Sequence, residues 1–429
     1  MGDMNVLFLT VSDQQKNPLS KFVDLHRTYD FGNWIEGAKG LVQKAYVFDY
    51  YESFVMEGPL KMEEKIIALI NDKSISVVVA PNIYYEIGPS FIEKIKKLGA
   101  RFVMVFFDDS SRFESTNRLY LDVCDNIVTH ESKRALELYK GYAGKIVFFP
   151  CYASWMLFQK LLCKSDENKS AGSEVVFVGA KFADRGEYIN ALRDIGINIA
   201  VYGCGWESGY LSQTEMINKY HDVKISLNFV KNINQEKGSQ LKGRAFEIIL
   251  AGGFLLSQYD EELCAYFDVG EEIDVFKTIE ECIQKVSYYL ENPDIRQEMQ
   301  RKAIQKCRGE FNFERAWSDY LNQIEKSCDS NIIKYQRRQM PKIAVQTFIH
   351  WNFDVITARA MAGQVYYSID QSKYLFKELY YLSGVYSAKV FTIFSIQILV
   401  FLLRYTKKIL SRNHYLRNVI TSLRSKGNN

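Results

Sequence analysis

None of the eight cysteines (124, 151, 163, 204, 264, 282, 307 and 328) is spaced from another as C-x-x-C. That spacing excludes a disulfide framework or a zinc knuckle, and predicts reduced core and loop residues of a cytoplasmic protein. Histidine is also scarce. The five histidines (26, 130, 221, 350, 414) form no metal-ligand spacing with nearby acids, so no metal site is expected. The N-terminus lacks a basic n-region and a small-residue cleavage site, and Met4–Val11 reads as a first strand, not a signal peptide. The apolar run Val390–Leu403 is fourteen residues long and broken by Ser395 and Gln397. A membrane span needs about 20 residues, so none is expected. The segment after the first strand, Ser12–Pro18, has no glycine, which excludes a dinucleotide fingerprint there and leaves acceptor contact or cleft closure.

What is present fits a globular chain of more than one core. With 429 residues, 47% hydrophobic and 24% charged, two domains and an extension are the natural expectation. The net charge of +3 hides an uneven distribution. Residues 331–429 carry 15 Lys and Arg against 3 Asp and Glu, while the first 330 residues carry 39 against 48. Such asymmetry predicts an interaction surface in the basic part.

From Met4 to Pro150 short apolar runs alternate with amphipathic ones. The runs Val6–Val11, Ala45–Phe48, Ser76–Ala80, Phe102–Phe107, Asn126–Thr129 and Ile146–Phe149 predict strands. Glu63–Ile70, Ser90–Leu98 and Ser132–Tyr139 predict helices between them. This alternation means a parallel, doubly wound sheet, whose ligands bind beyond the carboxyl ends of strands. Two places there can supply a general base. Asp108 and Asp109 follow the fourth strand; at most one faces a cleft, since neighbouring residues of an extended chain point oppositely. Asp109 or Ser110 equally suits a helix N-cap. His130 follows the fifth strand and opens a helix, where a capping role competes with a catalytic one.

Leu161–Ser173 is the most loop-like stretch and predicts the interdomain linker. A new strand, Glu174–Gly179, then leads into Lys181, Arg185 and a helix start, which together suit an anion. Asn198–Tyr202 and Lys224–Phe229 are the next strands, the first followed by Gly203-Cys204-Gly205-Trp206. The chain is organised around Lys242-Gly-Arg-Ala-Phe-Glu-Ile-Ile-Leu-Ala-Gly-Gly-Phe-Leu-Leu-Ser257. Phe246, Ile249 and Leu250 share one buried helical face. Gly252-Gly253 stops the helix, and Phe254–Ser257 is a short buried strand. Glu247 stands near the helix start, paired with Arg244 or presented to a ligand.

This stretch resembles the donor-sugar half-site of GT-B glycosyltransferases, most closely the group related to the spore-maturation protein CgeB. The likeness continues through Asp268–Phe276, Ile279–Leu290, Asn292-Pro293 and Ile295–Cys307, covering most of 172–325. It implies that Glu247 accepts hydrogen bonds from a nucleotide's ribose. Lys181 and Arg185 match the family's diphosphate-holding basic residues, and Gly203 and Trp206 its base-pocket loop. The family's Glu-x7-Glu pattern is broken, because Ser239 stands where the first glutamate would be.

The fold expected is therefore α/β, GT-B, with two Rossmann-like doubly wound domains facing across a cleft and a C-terminal helical extension. Its parts are residues 1–160 (acceptor domain), 172–308 (donor domain), 309–330 (a helix crossing back to domain one) and 331–429 (basic extension). The resemblance implies a metal-independent transferase, of hexosyl or related groups, with a nucleotide-diphosphate sugar as co-substrate and no other cofactor. The donor-binding residues expected are Gly179, Lys181, Arg185, Gly203, Trp206, Arg244 and Glu247; those near the acceptor are Asp109, Asp108 and His130. The acceptor is a glycan, a lipid-linked molecule or a protein. The alternatives are a non-catalytic sugar- or nucleotide-binding scaffold and a sugar-nucleotide epimerase of the same fold. The segment 390–426 suits an anionic membrane surface at the inner face, a helical cap on the second domain, or a dimerisation hairpin. No nucleic-acid partner is expected.

Overall fold

The computed structural model describes residues 4–11, 32–82, 84–107, 109–130, 133–149, 152–162, 173–231, 241, 243–327, 341–362, 364–386 and 388–399. It contains two Rossmann-like parallel sheets. The first has six strands, β1 (Asn5–Thr10), β2 (Lys44–Asp49), β3 (Ile75–Pro81), β4 (Arg101–Phe106), β5 (Asn126–Thr129) and β6 (Ile146–Phe148), in the order β2-β1-β3-β4-β5-β6. The second has five, β7 (Val175–Val178), β8 (Ile199–Tyr202), β9 (Ile225–Asn228), β10 (Leu255–Gln258) and β11 (Asp274–Phe276), in the order β11-β10-β9-β7-β8. Each falls on an apolar run recognised in the sequence except β11, whose three residues are too few to show a period. β7, β9 and β10 are buried along their whole length. That is the signature of a parallel sheet covered on both faces.

The chain divides into two compact units. One comprises residues 1–6, 30–46 and 128–330, the other residues 7–29, 47–127 and 331–429. In the first unit β7 is flanked by β8 and β9 in parallel register, Val176 facing Ala200 on one side and Ser226 on the other. Counted from β7, the strand order is 2-1-3-4-5, so successive connections leave in opposite directions on either side of β7 and β9. A ligand crevice lies beyond the carboxyl ends of strands at such a switch point. The same unit holds an aromatic seam. The helix Phe313–Ser327 packs on the helix Gly32–Lys39 through Trp34, whose ring lies 5.2 Å from Phe313 and 5.7 Å from Trp317. Gly37 makes that approach feasible, because a Cβ there would sit 2.8 Å from the Cβ of Phe313.

The second unit carries the C-terminal extension as two long helices, Lys342–Met361 and Val365–Val385. They pack on helices of the N-terminal half within the same unit. The reason is polar. Arg359 donates to the carbonyls of Val55 (3.0 Å) and Phe54 (2.5 Å), and the Tyr374 hydroxyl donates to that of Tyr85 (2.9 Å). The buried Glu378 accepts from the Ser90 amide at 2.8 Å, and Lys377 pairs with Glu63 at 2.6 Å. The helix expected at Ser132–Tyr139 is instead 3₁₀-helical over Lys133–Lys145, with breaks at Tyr139 and Tyr142. The expected linker lies mostly outside the described residues.

Candidate functional site

The helix Arg244–Leu250 ends as its sequence predicts. Gly252 takes φ +84°, its amide donates to Ile249 O and that of Gly253 to Ile248 O. These two bonds are the Schellman motif. Ala245, Phe246, Ile248, Ile249 and Leu250 are buried, and the two charged residues, Arg244 and Glu247, alone keep partial exposure. Their spacing of three puts them on one face of the helix. Beneath them lies Tyr220, from the helix Gln213–Asp222; burial pushes its pKa up, while Arg244 lowers it and Glu247 raises it.

Arg244 reaches back to the end of β7. A Cβ on Gly179 would lie 2.8 Å from its Nη1 and 2.6 Å from the Phe177 ring, so only glycine fits this approach. The Gly179 carbonyl accepts from the Trp206 indole (2.8 Å), and the Lys181 amide donates to Cys204 O (2.7 Å). The β7 and β8 loops are thereby zipped together past the sheet edge. Gly203 stands between them at φ +120°, where a Cβ would fall 2.6 Å from Gly179 O. Lys181 is exposed, with its ammonium 5.1 Å from the Trp206 ring.

Arg185 arrives at the same loop but points inward. Only 4% exposed, its guanidinium lies 3.7 Å from the Phe182 ring centroid and donates to Ala180 O (2.9 Å) and Phe229 O (3.4 Å). It thus ties the chain after β7 to the chain after β9, across the switch point. Burial and then the charge of Arg244 bring its pKa down to about 10. Asp184, which opposes this shift, is itself paired with Lys231. The Nε atoms of Arg185 and Arg244 are buried without a hydrogen-bond partner among the described residues. Two guanidinium groups that repel each other, with Lys181 nearby and donors to spare, make a place whose charge an anion would balance.

The residues expected near the acceptor are arranged differently. Asp109 heads the short helix Asp109–Arg112, is fully buried and accepts from the Asn117 amide at 3.3 Å. Asn117 in turn accepts from Asn82 at 3.0 Å. This is an internal polar network holding the segments after β3 and β4. His130 is buried against Trp34 (5.0 Å), and its Nδ1 lies 2.5 Å from Phe149 O. Burial lowers its pKa to about 4, so the ring is neutral at physiological pH and donates to that carbonyl. Asp108 and Ser239 lie outside the described residues. The seven residues expected on the donor side thus stand on the loops after β7 and β8 and on the helix Arg244–Leu250. Sequence reading missed Tyr220 and the aromatic bed of Arg185, Phe177 and Phe182. A tyrosine and two phenylalanines in apolar runs carry no signal beyond that of ordinary core.

The two doubly wound parallel sheets are those of the GT-B fold. Residues 185–322 match a family model described as glycosyl transferase-like. Among solved structures, HepE from Anabaena in complex with UDP-glucose is similar at 10% identity and a TM-score of 0.50, over 75% of this chain and all of that one. Sucrose-phosphate synthase from Thermosynechococcus elongatus gives 9% identity and a TM-score of 0.49, over 75% and 98%. A Listeria monocytogenes protein assigned as a UDP-N-acetylglucosamine 2-epimerase gives 12% and 0.46, over 77% and 98%. No curated protein sequence matches this chain.

Proposed function

We propose that this chain is a metal-independent glycosyltransferase of the CgeB-like group. It moves a hexose or related sugar from a nucleotide-diphosphate donor to a hydroxyl of a glycan, lipid-linked or protein acceptor. It works in the cytoplasm or at the inner face of the membrane. The observation that carries this reading is the convergence of Arg244, Arg185 and Lys181 on the Gly179 loop at the switch point. Negative charge develops on the departing nucleoside diphosphate, and fixed positive donors aimed there lower the barrier. Arg244 and Lys181 would meet the diphosphate, Arg185 would set the two strand ends, and Glu247, one turn from Arg244, would take the ribose hydroxyls.

A second reading is favoured by a specific observation. Asp109 and His130, the groups expected to take the acceptor proton, are both buried and engaged internally. A site that binds a nucleotide-sugar without turning it over would look the same. Thermal stabilisation against a panel of nucleotide-sugars, headed by UDP-glucose, with Glu247→Ala alongside, tests the donor site. Stabilisation of the wild type by one donor, lost in the variant, is the expected result; no shift with any donor would remove the transferase reading. Slow hydrolysis of the stabilising donor without acceptor then separates the enzyme from the scaffold.

A further inference from the structure

The C-terminal extension leaves an apolar face uncovered. On the helix Val365–Val385, Tyr366, Ile369, Lys373, Phe376 and Tyr380 recur at spacings of three and four, so they form one stripe. Its four apolar members are 74%, 53%, 55% and 78% exposed. A further helix over 389–399 turns Val390, Ile393 and Phe394 inward. The Phe394 ring packs on Phe353 (6.0 Å) and meets Phe376 (5.5 Å), which joins this helix to the stripe. Its other side exposes Phe391, Ile396 and Leu399. Among the described residues no helix is long and apolar enough to cross a membrane.

The charge pattern identifies what covers this face. The extension has three acidic residues. Glu378 is buried on Ser90, Asp370 accepts from the Leu60 amide, and Asp354 lies 3.6 Å from His350. From Leu379 to Asn429 there is no acidic residue and there are eight Lys and Arg, seven of them after Leu403. A second copy docked through the same extension would set like charges against like, which is unfavourable. An anionic lipid surface accepts both the apolar side chains and the basic ones.

We propose that the extension seats the protein on anionic lipid. Phe391, Ile396 and Leu399, with the stripe through Phe376 and Tyr380, enter the interfacial layer, and the positive charge that the sequence carries from Lys389 onward draws the protein to anionic head groups. The test is flotation of the full chain with vesicles of phosphatidylcholine, with and without phosphatidylglycerol. Binding is expected only to the phosphatidylglycerol vesicles, and is expected to weaken as salt is added. The triple variant Phe391→Ser, Ile396→Ser, Leu399→Ser should bind at least about tenfold more weakly. Lys407→Glu with Lys408→Glu should weaken it by a similar factor. Because the three apolar positions are exposed, their thermal midpoint should match wild type, and Tyr380→Ser gives an independent lesion on the neighbouring helix. Equal binding to both vesicle types, no binding to either, or binding indifferent to these variants would overturn the proposal. A dimer that the triple variant splits, in a protein that ignores vesicles, would give the face to a second copy and overturn it equally.

Discussion

Each unit buries an arginine against aromatic rings and backbone carbonyls, and the two differ in what surrounds the charge. Arg359 lies 5.1 Å from the Phe54 ring, donates to Phe54 O, Val55 O and Gln364, and is held at a pKa of about 10 by burial. Its nearest acidic neighbour, Asp370, favours the cation. Arg185 has a similar bed and the same lowered pKa, but its strongest charged neighbour is Arg244, which disfavours the cation. Each leaves its Nε unbonded among the described residues, so hydrogen bonding does not separate them. Charge does. Arg359 is a staple whose field is balanced inside the fold. Among the described residues the field around Arg185 is the less balanced of the two, since Asp184 offsets Arg244 only in part.

The largest effect should follow from breaking the balanced staple. Arg359→Ala removes the donors to Val55 O and Phe54 O, the second of which keeps the Gly58 amide at 3.1 Å, and opens a cavity. It should cost roughly 3–5 kcal/mol of folding stability, read by chemical denaturation. A loss below about 1 kcal/mol would mean that Arg359 adds little to the other contacts that dock the extension.

Arg244→Ala should do the opposite. Arg244 keeps partial exposure, and its removal relieves Arg185, so stability should change by less than about 1 kcal/mol. Donor affinity should fall about a hundredfold with the loss of a charge-assisted contact to diphosphate. Titration of the stabilising nucleotide-sugar by calorimetry reads it. Equal affinity in both proteins would place the diphosphate elsewhere.

How far these roles were legible follows from the same residues. The strands show as apolar runs because both faces of the second sheet are buried, and the end of the helix Arg244–Leu250 shows because two glycines in series have one common use there. That Lys181 follows a strand and Glu247 stands on the helix Arg244–Leu250 was read from family pattern; the approach of Arg244 to Gly179 is added by the structure. The inward turn of Arg185 was hidden, because a basic residue at a helix start has no direction until its rings are in place. Arg359 was more deeply hidden. Its carbonyl partners lie 304 and 305 residues upstream, and no local period records that. Asp109 and His130 read as candidate bases because they follow strands, a position that also suits buried network residues.

The third effect turns on pH and belongs to the balanced unit. Glu86 is buried, accepts from the Tyr84 amide and has its pKa raised to about 7 from 4.5, chiefly by desolvation. The folded protein therefore keeps a proton that the unfolded chain releases. The stability this gives is fully present below the unfolded pKa and is lost as pH rises through the folded one. Glu86→Gln fixes the neutral form, so between about pH 5 and about pH 8 its stability should fall on the order of 2 kcal/mol less than that of wild type. Denaturation at the two pH values measures the difference; parallel losses would show that Glu86 is ionised when folded.

The smallest effect probes how firmly the unbalanced site is held before a ligand comes. The Trp206 indole donates to Gly179 O at 2.8 Å, the same carbonyl that Gly203 must avoid, while its ring lies 6.3 Å from Phe177 and faces Lys181. Trp206→Phe keeps an aromatic face for both neighbours and deletes the donor. One net hydrogen bond is worth about 0.5–1.5 kcal/mol, so stability should fall by about 1 kcal/mol. The β7 loop would then reach the donor less ordered, and affinity should drop a few-fold as binding bears that ordering cost. If affinity falls while stability does not, the indole contacts the donor directly. If stability falls and affinity is unchanged, Gly179 is already fixed by Arg244, and repulsion between the two arginines is no obstacle to a preformed site.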